Sequence, residues 1–368
     1  MATEITNYQC PACTGPLHYS ASSGKLACEY CDSSFEIAEI EALYAAQNAA
    51  AEENFEEPLS QETEWDSSEL TDDWGDTQNM RTYNCPSCGA ELICDDTTAA
   101  TACPYCGNPS VVPGQFSGAL RPDYVIPFRV EKNQAVSILK DLFRKKILIP
   151  REFLDTHTIE KIQGIYVPFW LYDGEVSGNY RFDARNIRIF RTGDWEVTET
   201  SHYRVNRSGS LQFEKVPVDA SSKMPDAYME SIEPFDYSQL KPFSAAFLPG
   251  YLADKYDVTV EDSNKRADER CIRSLDDAVQ NTVIGYTSCT LRARNTTLKR
   301  GKVHYALLPV WLLNVKWNDK TYLFAINGQS GKAAGTIPAS KAKALAFFAA
   351  LALPLSLLGI LLANLMVG

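Results

Sequence analysis

The chain has 368 residues, 45% of them hydrophobic, and a formal net charge of −12 at pH 7. Residues 36–76 contain 14 acidic residues and no Lys or Arg, so the rest of the chain carries a net charge of +2. Residues 1–35 and 81–113 each carry a net charge of −2. Nucleic-acid binding needs clustered Lys and Arg to neutralise phosphates, so these two segments are not expected to bind nucleic acid.

A pattern of four cysteines occurs twice in the first third of the chain. Cys-x2-Cys, a 14-residue gap and a second Cys-x2-Cys recur 75 residues later. Zinc prefers four ligands in a tetrahedron, and two cysteines separated by two residues wrap one edge of it. The pattern predicts two zinc ribbons, residues 1–35 and 81–113. Their expected metal ligands are Cys10, Cys13, Cys28, Cys31, Cys85, Cys88, Cys103 and Cys106.

The repeat extends beyond the cysteines. Five other residues of the first segment recur at the same offset in the second: Tyr8, Pro11, Leu17, Ala27 and Tyr30 match Tyr83, Pro86, Leu92, Ala102 and Tyr105. About 30 residues bury too little apolar surface to fold alone, so zinc is expected to supply stability on the order of 10 kcal/mol. Four thiolates close the coordination shell, which indicates two structural Zn²⁺ ions and no catalytic one.

The remaining cysteines are expected to be idle thiols. Residues 1–4 show no secretory signal, which favours a reducing compartment over disulfide formation. Local pairing within each ribbon is favoured over exchange between ribbons, because exchange closes a longer loop. Cys94, Cys271 and Cys289 then have no assigned role.

Residues 36–80 are predicted to form an acidic linker that begins with a short helix. Four apolar residues at helical spacing should pack on the first ribbon or on a partner: Ile37, Ile40, Leu43 and Tyr44. From about residue 48 onward the apolar residues are isolated, among them Trp65 and Trp74, and the segment is expected to be mobile. A self-repelling spacer is favoured over a partner-recognition segment.

Residues 120–338 are the only region large enough for a substantial core, and their pattern predicts a mainly antiparallel α+β domain. Amphipathic helices are predicted at residues 135–147 and around residues 271–279. Runs rich in Tyr, Trp, Val and Thr predict strands, with hairpin turns at residues 192–194 and 327–328.

The sequence Pro-x-Trp-Leu occurs twice in this domain, at residues 168–171 and 309–312. Each copy follows a predicted helix, which suggests a duplicated helix-plus-sheet unit with the prolines at strand edges or bulges. Trp170 and Trp311 are expected to fill the core rather than to bind a ligand.

No catalytic constellation is found in the sequence. The four histidines are isolated, and there is no His-Glu-x-x-His pattern and no nucleophile motif. Residues 328–332 resemble a phosphate-binding loop, but Ile326 replaces glycine and Ala333 stands where Ser or Thr must hold magnesium. We therefore expect a hairpin turn there, and a protein that is not an enzyme.

Residues 344–368 contain no charged side chain and follow Lys341 and Lys343. At 1.5 Å per residue this stretch reaches about 37 Å, against roughly 30 Å of membrane hydrocarbon. It predicts a C-terminal transmembrane helix over residues 342–367, favoured over a buried core helix. The lysines before it predict a single-pass membrane localisation, as a tail anchor, with the soluble body facing the cytoplasm.

Five groups of motifs carry a family resemblance. They are the Cys-Pro-x-Cys ribbons, Val-Ile-Pro-Phe at 125–128, Val-Pro-Phe-Trp-Leu-Tyr at 167–172, Leu-Pro-Val-Trp-Leu-Leu at 308–313 and Ile-Asn-Gly-Gln-Ser-Gly-Lys at 326–332. Together they resemble a bacterial membrane-associated double zinc-ribbon family, of the transcription-factor-IIB type and often labelled primosomal-helicase-like. The resemblance implies an adapter in the envelope-stress response whose partners are phage-shock or SPFH-like membrane proteins. The helicase label lacks support, since no ATPase motif is found.

These observations predict an α+β protein with two N-terminal zinc ribbons, a mainly antiparallel α+β domain and one C-terminal transmembrane helix. The expected function is a tail-anchored cytoplasmic scaffold that recruits soluble partners to the membrane. The alternatives are a nucleic-acid-associated protein or helicase accessory, and an unrecognised enzyme. Thr14 and Asp32 follow cysteines of the first ribbon where Gly89 and Gly107 follow the matching ones, which favours the first ribbon as the partner-facing one.

Overall fold

The computed structural model describes residues 8–13, 15–20, 23–56, 63–74, 80–95, 98, 102–109, 111–114, 120–318 and 320–367. Within these residues the chain is α+β with mostly antiparallel strand pairs, as the sequence predicts. The six helices are α1 Ile37–Glu56, α2 Lys132–Arg144, α3 Thr156–Ile159, α4 Asp226–Ile232, α5 Val260–Gln280 and α6 Lys341–Val367.

Fourteen strands accompany these helices in the described part of the chain. They are β1 Leu17–Ser20, β2 Lys25–Cys28, β3 Ser34–Phe35, β4 Met80–Asn84, β5 Glu91–Asp95, β6 Val112–Gly114, β7 Tyr124–Val125, β8 Gln163–Thr192, β9 Trp195–Asp219, β10 Lys241–Pro242, β11 Leu252–Asp254, β12 Ser288–Trp317, β13 Lys320–Asn327 and β14 Ala333–Gly335. The predicted helix at residues 135–147 is α2, and the one around residues 271–279 lies within α5.

The chain divides into two compact units. The first comprises Met1–Asp66, Tyr172–Val216 and Asn264–Lys302, and the second comprises Ser67–Leu171, Pro217–Ser263 and Val303–Gly368. Strands β8 and β12 and helix α5 each contribute residues to both units. The units are therefore assembled from segments that lie far apart in the sequence.

In the first unit, α5 packs its apolar stripe against the long strands. Cys271, Leu275 and Val279 are spaced for one helix face and are buried together with Tyr180 and Phe182 of β8. Strands β8 and β9 pair as the predicted hairpin, and the turn between them places Gly193 at a φ of +63°, which glycine adopts without strain.

Two tryptophans in the described part of the acidic linker pack against other segments, whereas the sequence predicts a mobile spacer. In the first unit the Trp65 ring meets Tyr172 edge to face at 4.7 Å, and its Nε1 donates a hydrogen bond to Asp268 Oδ1 at 3.0 Å. In the second unit Trp74 meets Phe243 at 5.5 Å. Each aromatic ring buries a large area, which offsets the charge repulsion of its neighbours. Residues 57–62 and 75–79 of the linker lie outside the described residues.

The second unit is built on strands in the order β10-β7-β12-β8-β11-β5-β4-β6, with β13 and β14 continuing from β12. The pairs β7–β12 and β8–β11 are parallel, whereas β7–β10, β12–β13, β13–β14, β11–β5, β5–β4 and β4–β6 are antiparallel. Trp170 and Trp311 are buried core residues, as predicted, and their indole N–H groups donate to the carbonyls of Val258 and Val130. The apolar face of α2, with Leu139 buried, packs in the same cluster as Trp311.

The hairpin turn predicted at residues 327–328 is confirmed. Asn327 ends β13 and is fully buried. Its Oδ1 accepts hydrogen bonds from the backbone N–H groups of Gln329 and Ser330 at 2.8 and 2.9 Å, and its Nδ2 donates to the Ile232 carbonyl at 2.9 Å. The segment is therefore a turn held from inside by one amide side chain.

Over the residues that the structure describes, no helix is both long and apolar enough to cross a membrane. A helical span takes roughly 20 consecutive, predominantly apolar residues. The transmembrane helix and tail anchor predicted over residues 342–367 are therefore not supported. The predicted single-pass membrane localisation, with the soluble body facing the cytoplasm, is wrong.

Candidate metal centres

The first cysteine set is assembled by two tight turns in the first unit. Cys10 Sγ lies 3.6 Å from Cys31 Sγ, and Cys13 Sγ lies 3.4 Å from Cys28 Sγ. All four sulfurs lie within 4.8 Å of one another. A zinc ion held at about 2.3 Å by four thiolates separates its sulfurs by about 3.8 Å, which is close to these two separations of 3.6 and 3.4 Å. The four sulfurs could therefore hold a metal ion.

Helix α1 packs on this site, one of the two arrangements that the sequence allows, and at 20 residues it is longer than the predicted short helix. Ile40 is buried with Leu17 and Leu26, next to the first cysteine set. The Tyr44 hydroxyl accepts a hydrogen bond from the Gln9 backbone N–H at 2.8 Å. The other two residues of the predicted apolar stripe, Ile37 and Leu43, are exposed.

The second cysteine set lies in the second unit and has nearly the same geometry. Cys85 Sγ lies 3.6 Å from Cys106 Sγ, and Cys88 Sγ lies 3.6 Å from Cys103 Sγ. Its strand β5 pairs with β4 on one side and with β11 on the other. This site is therefore part of the large sheet, whereas β1, β2 and β3 form a separate three-stranded sheet.

Backbone hydrogen bonds close each turn around its sulfurs. In the second set, the Cys85 N–H donates to the Ala90 carbonyl and the Gly89 N–H donates to the Cys85 carbonyl, both at 2.9 Å. The residue after the turn adopts positive φ: +72° at Gly89, +70° at Gly107 and +56° at Asp32. A left-handed conformation costs a non-glycine residue about 1 kcal/mol, so the turn of the first cysteine set carries strain at Asp32 that the second set avoids.

Two of the thiols are poised to ionise. The Ser33 hydroxyl lies 3.3 Å from Cys31 Sγ, and this hydrogen bond lowers the pKa of the Cys31 thiol to about 6. Burial acts to raise the pKa of Cys85, but hydrogen bonds from the backbone of Cys88 and Ser87 outweigh it and lower the value to about 7. Metal ligation requires the thiolate form.

The pKa values of two neighbouring thiols are raised instead. Burial raises the pKa of Cys88 to about 11. A hydrogen bond from the Gly15 backbone favours the Cys13 thiolate, yet the contacts with Cys31 and Cys28 raise its pKa to about 12. Like charges that share a site cannot all ionise at neutral pH, and a divalent cation at the centre removes this conflict. The donor chemistry of both sets therefore fits a zinc ion.

Tyr105 ties the second set to the rest of its unit. It lies between Cys103 and Cys106 and is 6% exposed. Its hydroxyl donates a hydrogen bond to Asp254 Oδ2 at 2.6 Å, and the Ser221 hydroxyl donates to the same oxygen at 2.7 Å. Burial raises the pKa of Asp254 to about 7. The second oxygen, Oδ1, has no hydrogen-bond partner among the described residues.

Sequence reasoning missed Asp254. The residue lies 149 positions from Tyr105 and ends the three-residue strand β11. In the sequence, Tyr105 stands out only as a repeated residue that matches Tyr30. The repeat could have flagged Tyr105 for a structural role, but no local pattern marks its acceptor.

The other candidate residues stay apart from these sites. Cys94, Cys271 and Cys289 belong to neither tetracysteine set in the described residues, and Cys94 Sγ donates to the Thr98 carbonyl at 3.2 Å. No histidine joins a metal-ligating group of three or more in that same part of the chain. His304 contacts the Tyr124 ring edge to face at 5.5 Å.

The fold and these sites define an α+β protein with two tetracysteine sites, each able to hold a metal ion. The chain is 33% identical over 319 residues to "Uncharacterized protein YdjG" of Bacillus subtilis (strain 168), a match that covers 73% of this chain and 94% of YdjG. The chain therefore belongs to the same family as YdjG. No family model matches the chain, and no solved structure matches it.

Proposed function

We propose that this protein is a scaffold whose two tetracysteine sites hold structural Zn²⁺ and whose first zinc ribbon recruits a protein partner. The observation that carries the proposal is the closed donor set: four sulfurs within 4.8 Å in each site fill a tetrahedral shell. Zinc coordinated in this way stabilises a fold and leaves no position for a substrate.

The two ribbons have different surroundings, which supports a division of roles. The second ribbon is built into a sheet through β5 and β11, and its Tyr105 is buried. The first ribbon has a three-stranded sheet of its own, and its Tyr19 and Tyr30 are exposed. Exposed aromatic side chains on a rigid support are typical of protein interfaces. The first ribbon is therefore the recruiting one.

Charge supports a protein partner over a nucleic acid. Residues 1–35 contain one Lys against three acidic residues, and Lys25 is paired with Glu36 at 2.8 Å. An acidic surface repels phosphates, and binding to DNA or RNA would need the opposite charge.

Metal analysis of the purified protein tests the sites. The full chain should contain two zinc ions, and Cys28→Ser and Cys85→Ser should each contain one, because three thiolates do not close the shell. Cys94→Ser is the matched control and should retain two. One zinc or none in freshly reduced protein contradicts the proposal.

Recruitment is tested by capturing binding proteins with the full chain and with both serine variants, in cells that express the chain naturally. A protein partner should be lost with Cys28→Ser and kept with Cys94→Ser. It should persist when salt is raised from about 0.15 M to about 0.5 M, whereas a nucleic acid dissociates steeply over that range. Capture that is insensitive to Cys28→Ser excludes the first ribbon as the recruiting element.

A further inference from the structure

The internal repeat places one tyrosine in the same position of each ribbon, with opposite exposure. Tyr30 lies between Cys28 and Cys31 as Tyr105 lies between Cys103 and Cys106. Tyr105 is 6% exposed, whereas Tyr30 is 78% exposed. The same turn is therefore docked in one ribbon and presented to solvent in the other.

In the second ribbon, residues from other segments of the chain bind this turn. The slot around Tyr105 has an acceptor oxygen at its base, Asp254 Oδ2, at 2.6 Å from the tyrosine hydroxyl. The Asn314 side-chain amide donates to the Pro104 carbonyl, which precedes the tyrosine. Lys223 Nζ lies beside the same cysteine set, 3.9 Å from the position that a Cβ on Gly89 would take, and it pairs with Asp257 at 2.8 Å. A cation there faces the formal charge of −2 of a zinc tetrathiolate.

The first ribbon holds Tyr30 in a defined place. A Cβ on Gly15 would lie 2.9 Å from Tyr30 Cδ2, so the ring packs directly over this glycine. The Asp32 N–H donates to the Cys28 carbonyl at 3.0 Å and closes the turn beneath the ring. A tyrosine fixed in this way loses little conformational entropy when it binds.

Acidic residues flank Tyr30 where the second ribbon has neutral ones. Glu29 and Asp32 are exposed, and they occupy the positions of Pro104 and Gly107. Together with the zinc tetrathiolate they make the surroundings of Tyr30 more negative than those of Tyr105. A surface that receives this turn needs more positive charge than the slot around Tyr105 provides.

We propose that Tyr30 is the residue through which the first ribbon binds its partner, a protein with a tyrosine-sized slot, an acceptor oxygen at its base and Lys or Arg at its rim. The proposal rests on the scaffold function and names the chemistry of its partner. It fits a folded protein surface, since the slot around Tyr105 draws its groups from three separate segments, at Ser221, Asp254 and Asn314.

The test is photo-crosslinking in cells, with the full chain carrying p-benzoylphenylalanine at position 30. The control carries it at Tyr19, which is 61% exposed on the same ribbon. Position 30 should give one discrete adduct with another protein, and position 19 should give at least about fivefold less, as expected for a contact outside the interface centre. Zinc content of two per chain confirms that each variant is folded.

The partner identified by cross-linking is then purified, and its affinity for the full chain and for variants of the chain is measured. Tyr30→Ala should weaken binding about 30-fold, the effect of removing an interface hot spot. Tyr30→Phe keeps the ring and should weaken binding about fivefold through the lost hydroxyl. Glu29→Lys combined with Asp32→Asn should weaken binding about tenfold, and this loss should shrink at high salt.

Several results overturn the proposal: no discrete adduct, an adduct within the same chain, equal adducts at positions 19 and 30, or wild-type affinity of Tyr30→Phe. The scaffold function is judged separately. If Cys28→Ser abolishes capture while Tyr30→Ala does not, the first ribbon recruits a partner through another surface. If neither variant affects capture, both proposals fail.

Discussion

Asp254→Asn should change how stability depends on pH. Burial raises the pKa of Asp254 from its ordinary value of 3.8 to about 7. The folded protein therefore favours the protonated carboxyl. The stability that the neutral carboxyl provides is fully present below the unfolded-state pKa and is lost as pH rises towards the folded-state pKa. Three pKa units correspond to about 4 kcal/mol, lost between about pH 4 and pH 7.

Asparagine imitates the protonated aspartate without titrating. Its Oδ1 can accept the hydrogen bonds that Asp254 Oδ2 takes from Tyr105 and Ser221. Its Nδ2 replaces Asp254 Oδ1, which has no hydrogen-bond partner among the described residues. The substitution therefore removes no hydrogen bond at this atom and costs little stability relative to the protonated acid. The variant should therefore match the wild type near pH 4 and exceed its stability by up to about 4 kcal/mol at pH 8.

The assay is urea unfolding followed by tryptophan fluorescence, with excess zinc present. Protonation of the zinc ligands also affects stability, but it is common to both proteins and cancels in their difference at each pH. That difference should grow by about 2 kcal/mol between about pH 5.5 and pH 8.

Asp257→Asn is the matched control. Burial acts to raise the pKa of Asp257, but its ion pair with Lys223 at 2.8 Å and its hydrogen bonds from Ser222 outweigh this and lower it. Asp257 is therefore ionised throughout the range, and its variant should be less stable. Because the Asp257 charge also raises the pKa of Asp254, this loss should shrink slightly as pH rises, by far less than the change expected for Asp254→Asn. Parallel pH profiles for the wild type and Asp254→Asn would show that folding does not raise the pKa of Asp254 and would refute the reasoning.

Four further substitutions test local features. Asp32→Gly should stabilise the first ribbon by about 1 kcal/mol and slow zinc release to a chelator, because φ at this position is +56°. Equal rates of zinc release from Asp32→Gly and from the wild type would argue against strain at Asp32. Gly107→Ala should destabilise the second ribbon by a similar amount. Asn327→Ala removes the internal support of a buried turn and should cost about 2–4 kcal/mol in urea unfolding, whereas a cost below about 1 kcal/mol would mean that the turn holds without it. Trp65→Ala should speed cleavage of the acidic segment by a glutamate-specific protease, and an unchanged rate would contradict its packing role.

The sequence alone identified the features that depend on short stretches of chain. A Cys-x2-Cys turn closes within a few residues, so its spacing already predicts which sulfurs can meet around a metal. The structure gathers the same eight sulfurs into two separate sets of four. Helices α2 and α5 and the turns at Gly193 and Asn327 were predictable for the same reason, since periodicity and turn residues act locally.

Other features were decided by tertiary packing. Nothing near Tyr105 indicates that its hydroxyl meets Asp254, and nothing near Trp65 indicates that its ring meets Tyr172. The acidic, polar composition of the segment around Trp65 predicts a mobile spacer. Composition carries no information about the surfaces elsewhere in the chain against which a side chain can pack. Strand β5 likewise has no local signal for pairing with β11. The two ribbons carry the same repeat, yet one tyrosine is buried and the other exposed, because burial depends on what the rest of the chain places beside each site.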